Sequence, residues 1–319
     1  MNRTTETRPA HFPLAAPAIQ SNNRSVMPPM PLSSKQATSF DGTQLTYHTI
    51  GSEGPWVVIA NGLGAGVAAW RHQIAYMGEQ TRFLMWDYRG LHNPDDRDCS
   101  CRSSSSTDLV ETHVKDLQAV LQAEAVRGGL WMGWSFGAQV LVQMFHTGAV
   151  RPNQLVLINP CYGRRPHDAS GMRRLSPYVI GALERCPDTL EQVVRRAASW
   201  PETASWLKRL GFVAATIDED SLMDIVRHFQ TVNSSAFLGA LRAVASHRID
   251  GILGRIDVPT LVILGEKDGV TPRSNAEPLA KQIPHVELFV VRHGTHFVLL
   301  EYPELLNLRV EKFLREHPR

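Results

Sequence analysis

The chain is poor in cysteine, with four in 319 residues (Cys99, Cys101, Cys161 and Cys186). That density excludes a disulfide-built secreted scaffold and suits a reducing compartment, so a cytoplasmic location is expected. Cys99 and Cys101 form C-x-C without a second pair at zinc-ligand spacing, and no metal site is expected. No run of about 18 or more apolar residues occurs, which argues against a membrane span. The formal net charge is only +2, so the chain lacks the strong single-sign field that draws nucleic acid or a membrane surface. It also lacks an internal repeat at a fixed period, which excludes solenoids and propellers. The first forty residues carry one acidic residue, Glu6, and six prolines. "FPLAAPAI" is too short and proline-broken for a signal-peptide core, and residues 1–36 are expected to be a disordered extension.

What is present is a chain of 43% hydrophobic residues, long enough for one large core with an insertion. "TSFDGTQLTYHTIG" reads as two short strands around Asp41-Gly42, a hairpin signal. "WVVIAN" and "RFLMWD" are short apolar runs of the kind found in fully buried strands, with room for one helix between them. From Asp108 onward Leu109, His113, Leu117, Val120 and Leu121 recur at helical spacing. "GLWMGW", a helix from Phe136, "QLVLINP", "PTLVILG", "VELFVV" and a closing helix in "PELLNLRVEKFLREH" follow. Strands alternating with helices predict an α/β fold, a mostly parallel sheet with helices on both faces. Residues 161–255 break the rhythm with helix after helix, Asp188 and Glu191 standing at capping-box spacing. The expected division is therefore a core over 37–160 and 256–319, with 161–255 as a helical cap over one edge of the sheet.

One short motif carries chemistry. "GWSFG" (133–137) fits G-x-S-x-G, between a predicted strand and a predicted helix. Gly133 and Gly137 lack a Cβ, so the backbone can turn sharply and lift Ser135 Oγ above the carboxyl ends of the strands. The same serine could merely cap a helix, and its partners decide. A serine on such an elbow calls for an acid and then a histidine later in the chain. "EKDGVTP" puts Asp268 in the loop after one strand, and "RHGTHFVLLEYPE" puts His296 in the loop after the next. His296 would take the Ser135 proton, while Asp268 holds the imidazole tautomer and stabilises its charge. Asp257 precedes its strand, on the wrong edge, and His293 is separated from His296 by the turn at Gly294.

An oxyanion hole is also required. The N–H of Phe136 is one expected donor, and that of Leu63, in "NGLGAG" after the third strand, is the other. Asn61 and Gly62 would support that loop, the Asn61 amide donating to a backbone carbonyl and accepting from a backbone N–H. A rival reading treats "GLGAG" with Asp87 as a dinucleotide-binding fingerprint. Its spacing is G-x-G-x-G rather than G-x-G-x-x-G, and it leaves the Ser–Asp–His order without a purpose. No cofactor is expected. Trp134 and Trp70, with Phe136, Trp200 and Trp206, are candidates for an apolar pocket wall, and each serves equally well as ordinary packing. Arg164, Arg165, Arg173 and Arg174 could meet a carboxylate or form a solvated face.

From about Ser39 to the end the chain resembles a cap-bearing member of the α/β-hydrolase superfamily. The resemblance is carried by "NGLG", "WDYRG", "GWSFG", "GEKDGVTP" and "GTHFVLLEYPE". It departs at Asn61-Gly62, where relatives commonly have His-Gly, and at "DYRGLHNP", where they have D-x-R-G-x-G-x-S. The resemblance implies that dehalogenases and epoxide hydrolases of this fold use an aspartate at the elbow, so Ser135 argues against both. What remains is hydrolysis of a small-molecule carboxylic ester, lactone or thioester through an acyl-enzyme. Carbon–carbon bond hydrolysis, cofactor-free perhydrolysis and a slow-turnover ligand receptor stay open beside it.

Overall fold

Four short runs with hardly a polar side chain build the middle of the molecule: β3 (Trp56–Ala60), β4 (Arg82–Trp86), β5 (Leu130–Trp134) and β6 (Gln154–Ile158). Both faces of such strands must be covered, and Val57, Val58, Ile59 and Ala60 are fully buried. Burying a branched aliphatic side chain contributes about 1.5–3 kcal/mol, so a strand of this kind is stable only at the centre of a layered fold. The computed structural model describes residues 31–92, 106–147, 150–161, 187–247 and 251–318. Among these, eight strands form one sheet in the order β1-β2-β4-β3-β5-β6-β7-β8, completed by β1 (Leu32–Thr38), β2 (Gln44–Ile50), β7 (Thr260–Gly265) and β8 (Val286–Val291). β1 and β2 are antiparallel to each other and β2 is antiparallel to β4; every other pairing is parallel.

The Asp41-Gly42 turn forms as its sequence predicts. Gly42 has φ +88° and Asp41 Oδ1 accepts the Thr43 N–H at 3.1 Å. The first strand, however, starts at Leu32, inside the segment expected to belong to the extension ending at residue 36. "LSSKQAT" shows no apolar alternation because it is an edge strand, exposed along most of its length and held by pairing with β2 from Leu32↔Ile50 to Thr38↔Gln44. Residues 1–30 lie outside the described residues. Arg89 of "WDYRG" ties the hairpin to the layer behind it. Its buried guanidinium bonds Asp41 Oδ2 at 2.6 Å and, through Nε, Asp116 Oδ2 at 2.7 Å.

Helices α1 (Arg71–Met77), α2 (Ser106–Ala123) and α3 (Phe136–Thr147) connect the parallel strands. Between β6 and β7 the chain runs through α4 (Pro187–Ser199), α5 (Thr203–Arg209), α6 (Glu219–Phe229) and α7 (Ser234–Ser246). α4 begins at Pro187, which places Asp188 inside the first turn rather than ahead of it. The C-terminal end of α6 stands over the loop after β3. A Cβ on Gly64 would sit 2.5 Å from Phe229 Cε2, and one on Gly66 2.8 Å from His228 Nε2. The fold closes with α8 (Arg273–Ala280), the single turn α9 (Val298–Glu301) and α10 (Pro303–Glu316). No helix among the described residues is long and apolar enough to cross a membrane.

Candidate active site

Ser135 sits between the last residue of β5 and the first of α3 with φ +54°, a left-handed conformation that a non-glycine residue adopts at a cost of about 1–3 kcal/mol. The surroundings enforce it. The Ser135 N–H donates to Ile158 O at 2.9 Å, and its carbonyl accepts from Ala138 N at 3.2 Å and Cys161 N at 3.2 Å. Both flanking glycines are required sterically. A Cβ on Gly137 would lie 2.0 Å from Ala60 O, and one on Gly133 would lie 2.7 Å from Ala138 N. The helix thus packs against β3 more closely than any side chain permits.

Asp268 and His296 come from the loops after β7 and β8 and meet at 2.8 Å, Oδ2 to Nδ1. The Asp268 side chain is fully buried and that of His296 is 9% exposed. Asp268 also accepts from Val270 N at 2.7 Å, Thr271 N at 2.8 Å and Thr271 Oγ1 at 2.8 Å. Burial works against the charged carboxylate. The hydrogen bonds from His296 and Thr271 outweigh it, and the carboxyl is held below its usual range. Nδ1 is thereby committed to the acid, leaving Nε2 as the nitrogen that can receive a proton. His293, by contrast, has an exposed side chain beside Glu266, and Asp257 is paired at the surface with Arg151 at 2.7 Å.

Neither Leu63 N–H nor Phe136 N–H has an acceptor among the described residues. Asn61 braces the loop, through partners other than the expected backbone pair. Its Oδ1 accepts the Trp70 indole N–H at 2.7 Å, and its carbonyl accepts the Tyr88 hydroxyl at 2.7 Å. Trp70, expected on a pocket wall, is fully buried behind the loop in this supporting role. Trp134 is also buried, its indole N–H donating to His296 O at 2.9 Å while its ring blocks a Cβ on Gly62 at 2.8 Å. Of the two readings open for these tryptophans, pocket wall and ordinary packing, the structure shows packing, since both lie in the hydrophobic core. Their N–H groups meet Asn61 Oδ1 and His296 O. Trp200 and Trp206 stack on each other at the surface, with ring centroids 6.0 Å apart. Arg164, Arg165, Arg173 and Arg174 lie outside the described residues, as do Cys99, Cys101 and Cys186.

Three site residues escaped sequence reasoning. Asn159 after β6 contacts both the loop after β7 and the loop that carries His296. Thr271 fixes the Asp268 carboxylate, and its signal was the Asp-x-x-Thr spacing of a side-chain turn. Glu301 accepts from Thr295 N at 2.7 Å and Oγ1 at 2.6 Å and from Ala214 N at 2.7 Å, joining the His296 loop to the segment before α6. Asp87, the acid a ribose would need, lies instead 3.3 Å from His48. No group of three or more His, Cys, Asp or Glu is gathered at metal-binding geometry among the described residues.

A family model described as alpha/beta hydrolase fold matches residues 55–303. The chain belongs to the α/β-hydrolase fold family. Among curated relatives of this family, a pimeloyl-acyl-carrier protein methyl ester esterase from Vibrio atlanticus is 24% identical over 255 residues, covering 78% of this chain and 90% of the relative. Among solved α/β-hydrolase structures, an esterase from Exiguobacterium antarcticum aligns with TM-score 0.67 and 21% identity, covering 89% of this chain and all of the other. An enol-lactonase from Burkholderia xenovorans aligns with TM-score 0.67 and 20% identity over 88% of this chain and all of the other.

Proposed function

We propose that the protein is a serine hydrolase of carboxylic esters, lactones or thioesters, working through Ser135, His296 and Asp268. The observation that carries the reading is the buried Asp268–His296 pair at 2.8 Å, on loops at the carboxyl ends of β7 and β8, the same edge of the parallel sheet at which β5 leads into a serine held in left-handed conformation. The names of the relatives, methyl ester esterase, esterase and lactonase, point to the same chemistry.

In this reading His296 Nε2 takes the Ser135 Oγ proton as Oγ attacks the acyl carbonyl, and Asp268 stabilises the imidazolium without accepting its proton. The tetrahedral oxyanion receives the Leu63 and Phe136 N–H groups, donors fixed before the charge develops. Collapse expels the alcohol or thiol, which leaves with the proton from His296. Water, deprotonated by His296 in turn, then releases the acid and restores Oγ–H. Helices α4–α7 act as a cap, and Phe229 and His228 shield the oxyanion loop from water.

The test is turnover of p-nitrophenyl acetate and butyrate. Many turnovers per minute support an enzyme of this class, whereas stoichiometric labelling without turnover would favour the ligand-receptor alternative.

A further inference from the structure

We infer that Asn159 is the positioning residue that sets the acid and base loops in register over Ser135, an inference that rests on the triad reading above. Asn159 follows β6, is fully buried and has φ +41°. Asparagine is among the few residues with a side chain that enter this left-handed region readily. Its chain neighbours already hold the elbow, since Ile158 O and Cys161 N are the backbone partners of Ser135. Its own groups reach the other two loops. Oδ1 accepts the N–H of Gly265, the residue that ends β7 and opens the acid loop, at 2.7 Å. Nδ2 donates to Thr295 O at 2.9 Å and His296 O at 3.0 Å. Asn159 O lies 3.2 Å from Thr271 Oγ1, whose single proton is shared between that carbonyl and Asp268 Oδ2.

One turn of chain therefore contacts the backbone of the nucleophile, of the acid loop and of the base itself. Only a primary amide satisfies this site, because it must accept on one side and donate twice on the other. A carboxylate would set two lone pairs against the carbonyls of Thr295 and His296. An apolar residue would leave Thr295 O without this donor and His296 O with only the Trp134 indole N–H. Misplacing catalytic groups by about 1 Å can cost on the order of a hundredfold in rate, so the consequence of a loosened tether falls on kcat.

The experiment compares Asn159→Gly and Asn159→Asp with wild type, alone and with Asp268→Asn, using p-nitrophenyl butyrate on protein shown by circular dichroism to be folded. Glycine keeps the left-handed turn and removes every side-chain tether; aspartate keeps size and the Gly265 contact but turns an acceptor toward the two carbonyls, so the two variants break the same tether by different routes and either one, once folded, carries the test. The expected result is a fall in kcat of roughly 10–100-fold with KM changed by less than about twofold. With Asp268→Asn already present, Asn159→Gly should cost less than about threefold more, because the imidazole it orients no longer has its acid. An unchanged kcat, a loss confined to KM, or a full multiplicative loss in the double variant would overturn the inference. Failure of the triad reading would look different: Ser135→Ala and Asp268→Asn would each leave turnover intact, whatever Asn159→Gly does.

Discussion

Thr271 Oγ1 stands 2.8 Å from Asp268 Oδ2, the same oxygen that faces His296 Nδ1. The carboxylate is thus oriented from within its own loop before the imidazole reaches it. Replacement of Asp268 by asparagine preserves the shape but presents an amide to the imidazole and favours the wrong tautomer. By analogy with serine proteases, where the same exchange of the triad aspartate has an effect of this size, kcat should fall by roughly 10⁴. Steady-state kinetics on the folded Asp268→Asn variant measures this, and a loss below about tenfold would direct attention to another acid.

Gly137 is the steric limit of the elbow. A methyl group there meets the backbone oxygen of Ala60 at 2.0 Å, and no side-chain rotation relieves a clash with main chain. Gly137→Ala should therefore destabilise by about 3 kcal/mol or more and abolish activity. Calorimetry would show a large drop in Tm; a stable, active variant would mean that α3 is not pinned to β3.

At Asn61 the partner of the side chain is an indole, which predicts the pattern of substitutions. Asn61→Ala strands the Trp70 N–H in the core, at about 1–3 kcal/mol, and loosens the Leu63 donor. Neutral histidine can accept the same N–H, so Asn61→His should retain most activity. Kinetics of both variants decides: the alanine loss should fall on kcat, and a loss in KM alone would make Asn61 a substrate contact.

Acid sensitivity follows from histidines packed without charge. Burial pushes His247 down to about 4, and burial together with His228 pushes His92 down to about 4; His228 is itself lowered by burial. In the unfolded chain each titrates near 6.5. Above 6.5 both states are neutral and stability is fully present. As pH falls from 6.5 toward 4 the unfolded state binds protons that the folded state refuses, so stability drains over that window. At about 1.4 kcal/mol per pH unit, each of the two strongest cases is worth up to about 3 kcal/mol. Thermal unfolding between pH 8 and 4 should show this slope, and His247→Gln should flatten it; equal slopes would refute the assignment.

The elements legible in the sequence were those written in adjacent residues. The apolar runs of β3–β8, the left-handed serine between two glycines, and an acid and a histidine each just past a strand are local signals. What was missed is non-local. Nothing in "LSSKQAT" marks a strand, since its order comes from pairing with β2. Nothing in "LINP" says that an amide will reach loops more than a hundred residues later. Hydrophobicity is enough to expect Trp70 and Trp134 in the core, where they lie, but not the N–H bonds they make to Asn61 Oδ1 and His296 O.

In the proposed mechanism Ser135 Oγ is the nucleophile. Ser135→Ala removes one oxygen from a position whose backbone is held by Ile158, Ala138 and Cys161, so the fold should persist. The most direct measurement treats wild type and Ser135→Ala with a fluorophosphonate, follows covalent labelling by mass spectrometry and monitors p-nitrophenyl butyrate turnover in parallel. Wild type should carry one label per chain, at Ser135, and the folded variant should show neither label nor turnover. Labelling or turnover that survives in Ser135→Ala would contradict the mechanism.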